Sequence, residues 1–438
     1  MSLTEKFVDK IYHATPDGEA IECAKLGVLD YLTSSYAGKD DAGVHKLLKL
    51  IELEGGFQVS PIIGQGRKST PLQSALVNGF LAHALDFDDV HTEVRGHPSA
   101  VLLSTLLALA STNDVTGKRF LEAYVVGVEV MARIARAVKD SHYEKGWHNT
   151  GTIGVLAAAL AGGYMLQFSR DQLAQALGFA ATQSSGLRCH FGTETKPLHA
   201  GLAARAAVLS VNLTMVNFVN NSNSFDGKGN YFEVYGEGTE NYSSTLLDGW
   251  NDSWKIASPG LWFKIYPFCS AAYFGADAAL RIGKLNVEDI QEIIITFSNN
   301  TDAALIHHNP KTGEQGRFSI EYIVSLILQG QPLEFKQFEG SPIDSVSQTI
   351  INKTVRQNVK EPSTVPRYTK VKIVFKNGDM IEETSTTPKG SPNNKVTKQE
   401  IIEKCKSILK NEELEEKWME SIFTLNDATD LSDLLCLI

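Results

Sequence analysis

Residues 75–98 read ALVNGFLAHALDFDDVHTEVRGHP. The first eleven form an apolar run with helical spacing. The last fourteen, Leu85–Pro98, hold four carboxylates, one arginine and two histidines. The chain then enters a second apolar run, PSAVLLSTLLALA, over Pro98–Ala110. A helix that is apolar on most of its faces has to be buried among other helices, so this stretch predicts a helix-on-helix core. Titratable groups packed against such a core are costly to bury, and they concentrate where chemistry is done. Asp86, Asp88, Asp89, His91, Glu93, Arg95 and His97 supply acids, bases, metal ligands and an anion partner at once.

Outward from this stretch the same texture continues. Glu19–Leu32, Pro71–Leu85, Arg119–Val138, Gly151–Leu166, Asp171–Gln183 and Ala200–Ser210 all read as helices, rich in Ala, Leu and Gly. The Ala and Gly runs let helices approach closely. Near Trp262 the pattern changes. Glu292–Phe297, EIIITF, is short and β-branched. Tyr368–Phe375 alternates, meets Lys376-Asn377-Gly378-Asp379 and continues as MIEET, which predicts a hairpin with a tight primed turn. From Lys398 the pattern is helical again. The expected fold is mostly α: an all-helical main domain over 1–264, a smaller α+β lid domain over 265–395, and a C-terminal segment, 396–438, packing back on the helical domain.

Composition sets limits. The chain has 438 residues, 43% hydrophobic and 21% charged, with net charge -10. That argues against bulk attraction to nucleic acid or an anionic membrane. The five cysteines are scattered with no CxxC pair, so neither a disulfide framework nor a structural zinc site is expected. The apolar runs are shorter than the ~20 residues that span a bilayer. The first residues, MSLTEKFVDKIYHATP, do not form a secretory signal. A reducing, cytoplasmic setting is expected.

Four clusters carry chemistry. In the first, Asp88, Asp89 and Glu93 taken singly read as surface caps and salt-bridge partners, whereas His97 before Pro-Ser reads as functional at a helix entrance. The second is GWHNTGTIG at 146–154, where His148 precedes a helix start and is either a site residue or a bystander. The third is GTETKPLHAG at 192–201, with Lys196 either solvated or aimed at a carboxylate. The fourth is WFKIYPFCS at 262–270. Lys264 stands in an apolar run, where an ammonium needs an anion or must snorkel. Cys269 reads as a buried thiol or a nucleophile. GQGRKS at 64–69 lacks a full phosphate-loop spacing, and His307-His308 reads as an exposed loop pair.

Together these pieces resemble the MmgE/PrpD family, which includes 2-methylcitrate dehydratases, cis-aconitate decarboxylases and iminodisuccinate epimerases. The matching segments are LVNGFLAHALDFDDVH, HPSA, GWHNTGTIG, GTETKPLHAGLAA and KIYPFC. The resemblance implies a homodimer and a cofactor-free, metal-free site between the two domains, acting on a small anionic carboxylate. It implies Asp86, His97, His148, Lys196 and Lys264 as catalytic residues, with the lysines also binding substrate beside Asp89, Thr193 and Cys269. Substitution of either lysine is expected to weaken carboxylate binding and leave the fold intact. In aconitate decarboxylases a histidine is expected five residues after the second lysine. Here that place is Cys269, which argues against efficient decarboxylation of cis-aconitate. The resemblance implies a lyase on a small di- or tricarboxylate, 2-methylcitrate dehydratase-like or cis-aconitate decarboxylase-like, working by proton transfer next to a carboxylate held by lysines. Three other readings stand beside it: an epimerase of a dicarboxylate such as iminodisuccinate, a metal-dependent hydrolase built on Asp86, Asp88, His91 and His97, and a non-catalytic carboxylate-binding protein.

Overall fold

The computed structural model describes residues 1–237, 242–362 and 364–438. The chain begins with α1 (Leu3–Tyr12), α2 (Gly18–Ala37) and α3 (Ala42–Glu54). A short hairpin follows, β1 (Ser60–Ile62) and β2 (Arg67–Ser69), so GQGRKS forms its turn and second strand. Next come α4 (Pro71–His83), α5 (Pro98–Ala110), α6 (Gly117–Glu144), α7 (Asn149–Thr152), α8 (Gly154–Met165), α9 (Arg170–Ala181) and α10 (Thr195–Met215). The short α11 (Tyr231–Tyr235) and α12 (Ser243–Leu247) complete the first region.

Local chemistry places these helices. Thr70 and Gln73 form a capping box on α4, with Pro71 in the first turn, where its missing N–H costs nothing. Every residue of α5 and of α8 is buried, as helices without a polar face require. The helix read as Gly151–Leu166 is divided at Ile153 into α7 and α8. α6 runs six residues beyond Val138, past a break at Lys139, whose φ is 63°. α4 and α10 touch backbone to backbone. A Cβ on Gly201 would stand 2.2 Å from the Leu76 carbonyl oxygen, and one on Gly79 would stand 2.7 Å from Gly201 Cα.

The α+β region that follows holds α13 (Tyr273–Ile282), β3 (Ile290–Ser298), α14 (Gly313–Gly316), α15 (Ile320–Gln329), α16 (Ser345–Asn352), β4 (Thr354–Val359), β5 (Thr369–Phe375) and β6 (Met380–Ser385). The sheet order is β4-β3-β5-β6, with β3 and β4 parallel and the other neighbours antiparallel. α13 packs on β5, β6 and α15. The β5–β6 turn differs from the primed turn expected. Phe375 N–H bonds to the Asp379 carbonyl and Gly378 N–H to the Phe375 carbonyl, and only Gly378 of the loop has positive φ (91°). That is a three-residue loop ending in a glycine bulge; a type I′ turn would need positive φ at two central residues.

The chain ends with α17 (Lys398–Leu409), α18 (Glu412–Phe423) and α19 (Ser432–Leu437). Two apolar cores result. One gathers residues from Phe7 to Leu261 and, from the C-terminal helices, Ile401, Cys405, Trp418 and Ile422. The other gathers Val90, Trp262 and residues of the α+β region through Ile373. No helix among the described residues is long and apolar enough to cross a membrane.

Candidate active site

The site is assembled from helix ends and one clamped loop. His97 is the N-cap of α5 and His148 the N-cap of α7, and neither ring caps its own helix. Both imidazoles are therefore free to face other groups. Lys196 is the second residue of α10, an end where the helix dipole disfavours a cation unless an anion is close. The loop after α4 is held to the 262–264 segment by paired backbone bonds, Val90 N–H to the Trp262 carbonyl at 3.0 Å and the reverse at 2.8 Å. Asp86 within that loop has φ 51°, in the left-handed region. Lys264 donates to the Asp86 carbonyl at 2.7 Å. Behind the loop, Lys404 of α17 donates to Asp30 Oδ1 at 2.7 Å and to the Phe87 carbonyl at 2.9 Å.

Asp86 is the centre. Its Oδ1 lies 2.6 Å from Lys196 Nζ, 3.1 Å from Lys264 Nζ and 3.6 Å from His97 Nε2. Lys196 Nζ also meets His83 Nε2 at 2.7 Å. On its other side His83 Nδ1 meets Asp88 Oδ1 at 2.9 Å. His97 Nδ1 lies 3.0 Å from the Asp89 carbonyl and 3.2 Å from Asp88 Oδ2. The rings of His83 and His97 are 4.1 Å apart, and His148 stacks on His83 at 6.0 Å. His148 Nδ1 faces His199 Nδ1 at 3.1 Å.

The electrostatics follow from burial and from these contacts. Burial alone would raise the Asp86 pKa, but the Lys196 and Lys264 ammonium groups outweigh it and hold the carboxyl well below its ordinary range. Burial likewise opposes ionisation of Asp88, and the His83 and His97 rings overcome it. The imidazoles stay neutral. Burial pushes His97 down to about 3 against the opposing pull of Asp88. It pushes His148 well below its ordinary value, with Lys196 adding to the effect. Burial also lowers Lys196, against Asp86. One tautomer satisfies the network: each Nδ1–H of His83 and His97 donates toward Asp88 or the Asp89 carbonyl, and Lys196 donates to His83 Nε2. His97 Nε2 is then a bare lone pair.

Two cavities flank Lys196. The larger is lined by His97, His148, Lys196 and Cys269, with Arg95, Tyr143, Thr301 and Arg367. Its cations suit an anion. The smaller is lined by His83, Asp86 and Lys196 with Asp41, Thr193, Glu194, Glu314 and Arg317. Its excess of carboxylates disfavours an anion. Thr193 therefore sits on the other side of Lys196 from the histidine-lined cleft.

Asp89 is a correction to the expected substrate contacts. It lines neither cavity; its carboxylate accepts a short bond from Ser99 Oγ, which also meets Tyr124 Oη. Burial and the neighbouring Asp30 charge push it up to about 8, so it is a protonated interior acid. The surface reading of Asp88 and Asp89 fails too, since both are 0% exposed. His307 is half-buried rather than exposed, with Nε2 3.3 Å from the Phe191 carbonyl.

A profile of the MmgE/PrpD N-terminal domain matches residues 2–243, and one of the MmgE/PrpD C-terminal domain matches residues 266–424. The chain belongs to the MmgE/PrpD family. Its relatives include the cis-aconitate decarboxylase of Homo sapiens, 24% identical over all of this chain and 94% of that protein. The cis-aconitate decarboxylase-like protein oryM of Aspergillus oryzae is 26% identical over 96% of this chain and 93% of the relative. The Mus musculus cis-aconitate decarboxylase is 26% identical over 88% and 82%.

For this MmgE/PrpD protein the metal reading meets a specific obstacle. His83, Asp86, Asp88 and His97 bring ligand atoms within 4.8 Å of one another. However, two lysine ammonium groups already occupy Asp86 Oδ1, and a divalent ion would be placed beside both. His91, part of the hydrolase reading, turns its Nε2 to the Lys255 carbonyl at 3.0 Å, outside the group. His83 is the member of this cluster that the sequence did not single out. It ends an apolar run, where a histidine reads as core, and its only local signal is the acid-rich loop immediately after it.

Proposed function

We propose that this protein is a cofactor-independent lyase that acts on a small di- or tricarboxylate, with a tricarboxylate favoured. One observation carries this: a neutral histidine with a free Nε2, His97, lies beside a lysine ammonium in a cleft that also presents Arg95 and Arg367. A substrate carboxylate docks at Lys196. His97 Nε2 takes a proton from the carbon next to a carboxylate, and the C–H electron pair passes into an enolate-like system that the cations stabilise. In dehydration the β C–O bond then breaks, and the oxygen leaves as water with the proton carried by His97. In decarboxylation no proton is removed first: the C–C bond to a carboxylate breaks with loss of CO2, its electron pair passes into the same enolate-like system, and carbon takes one proton that His97 relays from solvent.

The full-length relatives support loss of CO2. Cys269 supports loss of water, because burial and the nearby Asp86 charge raise its pKa and keep the thiol neutral, a poorer proton carrier than a histidine. A homodimer belongs to the same proposal. α10 exposes Leu202 and Leu209, and Val216 just beyond it continues the row at the same seven-residue spacing. That is an apolar stripe suited to a second copy.

The test is incubation with 2-methylcitrate, citrate, cis-aconitate and iminodisuccinate, followed by proton NMR. Turnover of a tricarboxylate that survives exhaustive chelation is expected, and Cys269→His should shift products toward CO2 loss. Failure to turn over any of the four, or activity lost to chelator and restored by one metal, would overturn the reading.

A further inference from the structure

Arg367 is a charged side chain at the cleft without a charged partner. It precedes β5 and lines the cavity that holds His97, His148 and Lys196, but it comes from the lid. Its Nη2 bonds only to the backbone carbonyls of Ala271 (3.4 Å) and Thr301 (3.2 Å). Its Nε is buried with no hydrogen-bond partner. Its guanidinium lies over the Phe274 ring, 4.4 Å from the centroid. Among the described residues no carboxylate forms an ion pair with it. Burial pushes its pKa down to about 10, so it is charged at neutral pH.

Several other cations in the chain have a carboxylate, although Arg317, lining the smaller cavity, bonds only to the Ala84 carbonyl. Arg356 on β4 has Glu321 at 2.6 Å and Asp302 at 3.4 Å. Arg133 has Glu129 at 2.6 Å, and Lys404 has Asp30 at 2.7 Å. Across the cleft, Arg95 has Asp140 at 2.8 Å. A desolvated cation lacking an anion is costly, and a planar guanidinium with an open edge matches a carboxylate.

We propose that Arg367 holds a substrate carboxylate from the lid side while Lys196 holds another from the helical side. The cleft then selects acids with one more carboxylate than the Lys196 cluster engages. This rests on the lyase reading for the identity of the cleft. It makes Arg367 a specificity residue that also couples lid and substrate.

Binding of two unreactive acids tests it by calorimetry. Glutarate and butyrate differ by one carboxylate. The intact protein should bind the first at least about 10-fold more tightly, the scale of one charge-assisted contact. Arg367→Gln should erase that preference while butyrate affinity and the unliganded melting temperature hold. Arg367→Lys should keep part of it. A preference that survives in Arg367→Gln overturns the proposal and leaves the lyase reading standing. Equal binding of the two acids by the intact protein, with turnover present, does the same. Binding of neither acid overturns both.

Discussion

Asp86 draws two ammonium groups onto one oxygen and leaves its other oxygen, Oδ2, buried without a partner. Such a carboxylate is suited to fixing lysines in place rather than to moving protons. The proton work then falls to His97, whose Nδ1 is tied down and whose Nε2 is bare. His97→Gln should lower kcat by about 10²-fold or more, the scale of a lost general base, with little change in melting temperature. A variant that instead unfolds early would mark the ring as structural. Lys264 behaves differently from the sequence-based expectation. It is fully buried and bonded to both the carbonyl and the carboxylate of Asp86. Lys264→Ala leaves a buried charge less compensated, and breaking buried pairs costs roughly 3–5 kcal/mol. The urea midpoint of Lys264→Ala should drop markedly, and Asp86→Asn combined with Lys264→Met should recover much of it without recovering activity. A wild-type midpoint for Lys264→Ala would show that Lys196 alone neutralises Asp86.

At the scale of elements, the pairing of α4 with α10 sets the distance between His83 and Lys196. Gly79 and Gly201 are what let the two backbones meet. Gly201→Ala forces a methyl against the Leu76 carbonyl, and overpacking of this kind costs roughly 1–3 kcal/mol. The helices should part, lengthening the 2.7 Å contact between His83 and Lys196. Activity should fall further than a pure stability loss explains, read as lower kcat at a temperature where the variant is fully folded. Elements of this kind were largely legible. α5 spans the same Pro98–Ala110 that its apolar run and leading proline predict, because burial and capping act locally. Asp89 and His83 were not legible. Three acids within four residues gave no sign of which one faces the cleft, because the left-handed residue at Asp86 resets the direction of those after it. His83 finds Asp88 five residues away but Lys196 113 residues away, and no local pattern encodes the second contact. The break at Lys139 in α6 likewise has no proline or glycine to announce it.

At the scale of the whole molecule, several buried histidines are held toward the neutral form. Burial holds His97 at about 3, and His142 and His199 at about 4. A histidine in the unfolded chain titrates near ~6.5. Below that pH the unfolded chain binds protons that the folded one refuses. The histidine contribution is therefore complete above ~6.5 and falls as pH drops toward the folded values, each ring adding a slope of up to about 1.4 kcal/mol per pH unit, while Asp89, raised to about 8, offsets one such slope over the same range. Asp86, held below its ordinary value, adds loss only in stronger acid. Urea midpoints from pH 7.5 to 4.5 should decline steeply below about pH 6, and His142→Gln should reduce that slope. A flat profile would mean that the buried rings accept protons without unfolding. Lys404 reaches the site loop from far along the chain, 317 residues after Phe87 and 374 after Asp30. During synthesis at ~5–20 residues per second, the loop waits roughly 15–65 s for that lysine to emerge. A nascent chain thus carries its acids and histidines long before the helix that braces them exists. Until α17 docks, that loop lacks the bonds Lys404 gives to Asp30 and Phe87.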